Sequence, residues 1–147
     1  MVDESLPKKL AELKESGALS SDPKNILILM ELIKQVSLEN EDLKEELENI
    51  DTVTAQMMVM DKNFKWWIRL GDGDFDYGEG EDENASFTMK SDWKTISGVL
   101  VGEIDGTAAY LAGSLKMEGN LQNSMGFGDY FEFAMEIMAE LGYWKPK

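Results

Sequence analysis

Acidic side chains dominate the segment from Asp72 to Glu83, and they are the residues that could most readily do chemistry. Four of them match positions 1, 3, 5 and 12 of an EF-hand calcium loop, namely Asp72, Asp74, Asp76 and Glu83. Position 6 of that loop needs Gly for its sharp turn, and here it is Tyr77. The pattern therefore favours a hairpin with a solvated acidic tip, and no metal is assigned. An acidic calcium-responsive interaction protein remains an alternative.

The 147-residue chain contains no Cys and no His. This composition excludes disulfides, zinc sites built on thiolate or imidazole, Cys nucleophiles and acid–base catalysis by His. The chain also lacks a Gly-x-Ser-x-Gly, a Ser-x-x-Lys and a phosphate-binding Gly loop. We therefore expect neither an enzyme nor a bound cofactor.

The net charge of −15 is concentrated in two segments, 39–51 and 72–83, which hold seven acidic residues each. Arg69 is the single Arg, so contacts to nucleic-acid phosphates or to an anionic membrane are disfavoured. No stretch approaches the roughly 20 apolar residues of a membrane span, and the first residues lack the apolar run of a signal peptide. We expect a soluble, cytoplasmic protein with no stable membrane insertion and no nucleic-acid partner.

Helical patterns fill the first third of the chain. An apolar stripe at Leu6, Leu10 and Leu13 ends at Gly17, and Ser21-Asp22-Pro23 starts a second helix. That helix, 25–36, is apolar around much of its circumference, so it must be covered on two sides. A third, acidic helix is predicted from Leu38 to Glu48.

Strand patterns follow at 53–60, 64–70 and 75–77, separated by turns at Asp61-Lys62-Asn63 and Gly71-Asp72-Gly73. A fourth begins at Ala85, and we expect strands 1 to 4 to form a meander.

The most informative stretch runs from Ala85 to Gly119, where two strand patterns enclose a helical insert. Ser91 or Asp92 can cap a helix that carries Trp93, Ile96 and Leu100 on one stripe. Asp105 then starts one or two further turns that Gly113 ends. A strand from Ser114 to Met117 and a last helix follow.

This order of residues resembles the sterol carrier protein type 2 lipid-binding family over about 54–119. The places that carry the resemblance are held by Ser86, Thr88, Ser91, Asp92, Gly102, Ala108, Ala109, Gly113, Lys116 and Gly119. The resemblance implies an α+β fold in which a five-stranded, mostly antiparallel sheet is covered on one face by helices that enclose an apolar tunnel. Residues 1–37 would then be an N-terminal helical extension, and 38–147 the lipid-binding domain.

The presumed tunnel lining is rich in Met, since eight of the ten methionines fall between Met57 and Met138. Met fills irregular volume and suits surfaces that accept more than one apolar shape. The candidate ligand-binding residues are Ile68, Phe87, Met89, Trp93, Ile96, Tyr110, Met117, Met125, Phe127, Phe131, Met135 and Met138. The alternative is that all of them are ordinary core, an assignment kept for Met57 and Trp66.

The segment after Leu121 departs from the family pattern. Because two glycines each cost about 1 kcal/mol inside a helix, Gly126-Phe127-Gly128 predicts a break. Asp129 to Glu132 would then cap a fresh helix, and Phe127 would gate the tunnel.

Taken together, the residues and the resemblance predict non-enzymatic binding and carriage of an apolar ligand such as a fatty acid, acyl-coenzyme A, sterol or isoprenoid lipid. One alternative is an accessory protein that presents a lipid-like intermediate to a partner enzyme. The N-terminal helices either pack on the domain or form a homodimer contact.

Overall fold

A computed structural model describes residues 2–145. The first four helices are α1 (Ser5–Ser16), α2 (Ala18–Ser21), α3 (Ile26–Glu39) and α4 (Glu41–Glu48). The stop and start signals act as predicted: Gly17 ends α1 with a φ of 81°, and the Asp22 carboxylate accepts a hydrogen bond from the backbone N–H of Lys24. The acidic helix α4 begins three residues later than predicted, because Asn40 caps it and Leu38 still belongs to α3.

The N-terminal helices pack on the rest of the chain. Helix α3 contacts α1, α4, the C-terminal helix and the third strand of the sheet, which accounts for its wide apolar surface. The predicted domain boundary after residue 37 falls inside this helix. Buried apolar residues form one continuous cluster from Leu10 to Trp144.

The five strands are β1 (Val53–Val59), β2 (Phe64–Gly71), β3 (Asp74–Glu79), β4 (Phe87–Ser91) and β5 (Lys116–Gly119), in the sheet order β3-β2-β1-β4-β5. Strands β1 and β4 run parallel, and the other three pairings are antiparallel. The prediction of a mostly antiparallel five-stranded sheet is therefore confirmed, but the meander of strands 1 to 4 is wrong.

The chain leaves β3 and crosses the outer face of the sheet to place β4 beside β1. Gln56, buried on that face, holds the crossing: its amide donates to the carbonyl oxygen of Gly80 at 2.9 Å and accepts from the backbone N–H of Asp82 at 2.8 Å. Period-two alternation assigns each strand a face but not a neighbour, so this crossover was not predictable from the pattern.

Helices α5 (Trp93–Leu100) and α6 (Gly106–Leu111) separate β4 from β5, and α7 (Leu121–Glu140) closes the chain. Strands β4 and β5 each begin two residues later than predicted. For β5 the reason is that the backbone N–H groups of Ser114 and Leu115 donate to the carbonyl oxygen of Ala109 and extend the end of α6. Within residues 2–145, no helix is both long enough and apolar enough to cross a bilayer.

Candidate functional site

Side chains on one face of the sheet meet the helices in a continuous apolar interface. The strand register aligns Trp66 with Met57, Met57 with Met89, and Met89 with Met117, in a row that crosses the strands. The next row toward the other end aligns Ile68 with Ala55, and Ala55 with Phe87. Apart from the half-buried Met117, all of these residues are buried.

Helix α7 covers this face with aromatic rings. Phe127 packs edge-on against Phe87 at a centroid distance of 5.4 Å and lies 4.8 Å from Phe131. Phe131 and Tyr130 in turn contact Phe75 of β3 at 6.1 and 6.3 Å. The aromatic rings of α7 and of the sheet are therefore in direct contact across this interface. The enclosed apolar tunnel that the family resemblance implies stays a prediction.

Trp93, the first residue of α5, is fixed from two directions. Its backbone N–H donates to the Asp61 carboxylate at 2.8 Å, and its indole N–H donates to the carbonyl oxygen of Leu19 at 3.1 Å. Asp92 caps the same helix, and the hydrogen bonds from Thr95 hold the pKa of the Asp92 carboxyl below its usual range. These hydrogen bonds fix the position of the Trp93 ring, whose centre lies 6.1 Å from that of Trp66.

Trp66 differs from Trp93 in one respect. Its side chain is fully buried, yet within residues 2–145 its indole N–H has no hydrogen-bond partner. Trp144 is the other buried indole with this property. A buried donor without an acceptor is destabilising by about 1–3 kcal/mol, so such groups need a physical explanation.

Most of the predicted ligand residues lie at the sheet–helix interface or on the helices that cover it. Those that are buried are Ile68, Phe87, Met89, Trp93, Ile96, Phe127, Phe131, Met135 and Met138, and Met117 is half-buried. Tyr110 and Met125 are instead exposed, at 39% and 70% of their surface. The residues that the sequence assigned to plain core, Met57 and Trp66, stand in the same row as Met89. Only the register between strands reveals this.

The predicted break at Gly126-Phe127-Gly128 is wrong. Helix α7 runs unbroken through all three residues from its cap at Asn120, whose side chain accepts hydrogen bonds from the backbone N–H groups of Gln122 and Asn123. Phe127 is 3% exposed. The burial of Phe127 against Phe87 and Phe131 offsets the free-energy cost of two glycines inside a helix. Because the helix has no break here, the flexible hinge on which the predicted gating role of Phe127 depended is absent from α7.

The acidic segment 72–83 forms a hairpin and strand β3, with no flanking helix of an EF-hand. Its carboxylates pair with bases from elsewhere: Asp76 with Lys34 at 3.3 Å, Glu81 with Lys65 at 2.5 Å, and Asp82 with Arg69. Hydrogen bonds from Thr52 hold the pKa of Asp72 below its usual range. Among the described residues, no group of three or more acidic side chains is arranged to hold a metal ion.

A separate groove of about 550 Å³ lies between α1, the end of α5 and the C-terminal segment. Leu10, Lys14, Val101 and Trp144 are among its lining residues, and Lys14 Nζ lies 4.0 Å from the Trp144 ring centre. None of the predicted ligand residues lines it.

The mixed five-stranded sheet and the helices packed on it define an α+β domain. Residues 30–132 match the sequence profile of the SCP-2 sterol transfer family. The chain belongs to this family, which confirms the resemblance found in the sequence. No individual curated protein matches the chain significantly.

Solved structures share the fold at low sequence identity. A protein described as "UbiJ-SCP2 Ubiquinone synthesis protein" is 15% identical, with a TM-score of 0.62 over 76% of this chain and 96% of its own. The apo sterol carrier protein 2 of Yarrowia lipolytica is 16% identical, with a TM-score of 0.55 over 74% of this chain and 90% of its own.

A third match is part of a larger enzyme. The inverting sec-alkylsulfatase Pisa1 of Pseudomonas sp. is 17% identical, with a TM-score of 0.57 over 71% of this chain. The match spans 15% of the sulfatase's length.

Proposed function

We propose that this protein binds one apolar, lipid-like molecule between the inner face of the sheet and helices α5 and α7, and carries it. The observation that supports this most directly is the composition of that interface in a chain of the sterol transfer family. Unbranched Met side chains and aromatic rings line it from both sides, and Met repacks around different apolar shapes at low cost. The proposed ligand residues are the buried members of the predicted set together with Met117.

Carriage fits the energetics better than extraction. Burying a sixteen-carbon acyl chain from water is worth about 12 kcal/mol, at roughly 0.8 kcal/mol per methylene. A bilayer buries the chain equally well, so this hydrophobic free energy cancels when a lipid moves from a membrane into the protein. The protein would therefore exchange or deliver lipid along a gradient.

We infer that the ligand is carried without a chemical step. Neither His nor Cys is present to act as a general base or nucleophile, and the proposed interface is lined by apolar side chains. The sulfatase activity named for Pisa1 belongs to that protein, of which this fold is a small part.

A second candidate is presentation of a lipid-like intermediate to a partner enzyme. Two observations favour it: likeness over most of the length of a protein described as acting in ubiquinone synthesis, and an acidic exposed face on α4 that includes Glu41, Glu45 and Glu48. Such a face suits a basic partner surface. Replacing these three residues with Lys should abolish the partner's response and leave ligand affinity unchanged.

The experiment that tests binding is a titration with a brominated fatty acid, whose bromine atoms quench tryptophan emission only on close approach. We expect saturation at one ligand per chain and quenching of Trp93, so the Trp93→Phe variant should show a reduced response. Trp67, which lies on the outer face beside Arg69, supplies the matched control: Trp67→Phe should keep the response of the original protein. Absence of saturable binding by fatty acid, acyl-coenzyme A, sterol and phospholipid would overturn the proposal.

A further inference from the structure

A row of flexible side chains crosses the inner face of the sheet at right angles to the strands. The methionine row consists of Met57, Met89 and Met117 on three neighbouring strands, and Trp66 continues it on a fourth. With strands about 4.8 Å apart, the three steps of the row span about 14 Å.

Burial decreases along this row from Trp66 toward β5, whereas on the other side the register pairs Trp66 with the exposed Glu79 of β3. Trp66 and Met57 are fully buried, Met89 is 4% exposed, and Met117 on the edge strand β5 is half-buried. The neighbouring row has the rigid or small side chains of Ile68, Ala55 and Phe87 instead. The methionine row is thus the adaptable strip of the interface, and it reaches the sheet edge at Met117.

The buried end of the row carries the unpartnered donor. The rings of Phe64 and Trp93 flank Trp66 at 5.7 and 6.1 Å, and neither offers an acceptor. The indole N–H of Trp93 is itself committed to Leu19. A bound water needs two to four polar partners, and the two rings that flank Trp66 supply no acceptor. A ligand that carries an oxygen atom on an apolar chain suits this place. Its oxygen can accept a hydrogen bond from the indole N–H, while its chain contacts the apolar surroundings.

We propose that the ligand's chain lies along the methionine row and that the Trp66 indole N–H binds an uncharged carbonyl oxygen at its inner end. This inference rests on the proposed lipid-binding function and specifies its ligand class as ketones and esters. A carboxylate is disfavoured because its charge would be buried without a cation, whereas an uncharged carbonyl loses much less hydration. Since three extended backbone bonds span about 3.5 Å, a 14 Å track holds a chain of roughly twelve carbons.

The test compares a methyl ketone of about twelve carbons with the alkane of equal length, each displacing a fluorescent probe from the full chain. We expect the ketone to bind about tenfold more tightly than the alkane, because it pairs a donor that is otherwise buried alone. The Trp66→Phe variant should lose this preference, so that its affinities for ketone and alkane lie within about twofold of each other. Trp144→Phe is the matched control, since it removes another buried unpartnered indole N–H outside the row, and its preference should be unchanged.

A spectroscopic readout separates a direct role for Trp66 from a structural one. In nitrogen-edited NMR spectra, the ketone should shift the Trp66 indole N–H resonance and the alkane should shift it far less. Equal affinities for ketone and alkane, or a preference that survives in Trp66→Phe, would overturn this inference while leaving lipid binding intact. Failure of both compounds and of the fatty acid to bind would instead contradict the proposed function.

Discussion

The indole N–H of Trp93 on α5 donates a hydrogen bond to the carbonyl oxygen of Leu19 on α2 at 3.1 Å. Trp93 lies within the stretch that matches the family profile, and Leu19 lies before it. This bond therefore joins the proposed ligand site to the N-terminal segment, which also covers one side of α3.

Removing α1 and α2 should uncover apolar surface. A chain that begins at Asp22 keeps the cap before α3 but loses the helices that cover it, so we expect self-association and a lower melting temperature. Light scattering after size-exclusion chromatography measures the association. In the full chain, Trp93→Phe removes this hydrogen bond and part of a buried ring, so that variant should stay in its original oligomeric state and lose about 1–3 kcal/mol of stability. A shortened chain of unchanged association state and stability would show that the segment is dispensable.

Phe127 should behave as a core residue. Phe127→Ala leaves a cavity between Phe87 and Phe131, and we expect it to lower the free energy of unfolding by about 3–5 kcal/mol. Met125→Ala, two residues earlier on the same helix but largely exposed, should change it by less than about 0.5 kcal/mol. Urea denaturation of both variants measures the difference, and similar small losses would show that Phe127 is not packed as described.

Glycine positions should respond in opposite ways to substitution. Gly126 and Gly128 have helical backbone, and apart from the adjoining backbone of α7 no heavy atom lies within 4 Å of the place that an alanine methyl group would take. Ala at either position should therefore stabilise α7 by about 1 kcal/mol. At Gly119, with a φ of 99°, the added carbon would lie 2.6 Å from the carbonyl oxygen of Ser86, so Ala should destabilise the protein. Thermal melts of the three variants test both signs.

Alkaline pH should destabilise the protein through the buried phenol of Tyr130 and the half-buried phenol of Tyr77. Burial raises the pKa of Tyr130 and of Tyr77 above the ordinary value of 10.0, and the hydrogen bond to Glu31 raises that of Tyr77 further. Above pH 10 the unfolded chain has lost these protons while the folded chain keeps them. The stabilisation is therefore complete below pH 10 and is lost as the pH rises through the folded-state pKa.

Denaturation at a series of pH values checks this expectation. The midpoint should fall as the pH rises above about 10, and the Tyr77→Phe and Tyr130→Phe variants should each show a smaller fall. A midpoint that changes equally in all three proteins would contradict the assignment to these residues.

Local signals in the sequence predicted the elements well. The ends of α1, α5 and α6 follow from Gly17, Asp92 and Asp105, whose backbone or side chain satisfies the helix ends directly. The inward face of each strand follows equally from alternation. These features depend on residues within a few positions of one another.

Contacts between residues far apart in the sequence were not predicted. The parallel pairing of β1 with β4 depends on the contacts of Gln56 with residues 24 and 26 positions away. The continuity of α7 depends on Phe127 packing against Phe87, which outweighs a local glycine penalty. The methionine row is visible only once four strands are in register, so Met57 and Trp66 were assigned to plain core.

Carbon-edited NMR of methionine methyl groups tests the central claim of a lipid site between sheet and helices most directly. Titration with a fatty acid should shift the methyl resonances of Met57, Met89 and Met117. Those of Met58 on the outer face and of the exposed Met60 should stay in place. Shifts confined to Met58 and Met60, or no shifts at ligand concentrations that saturate the fluorescence titration, would contradict the account.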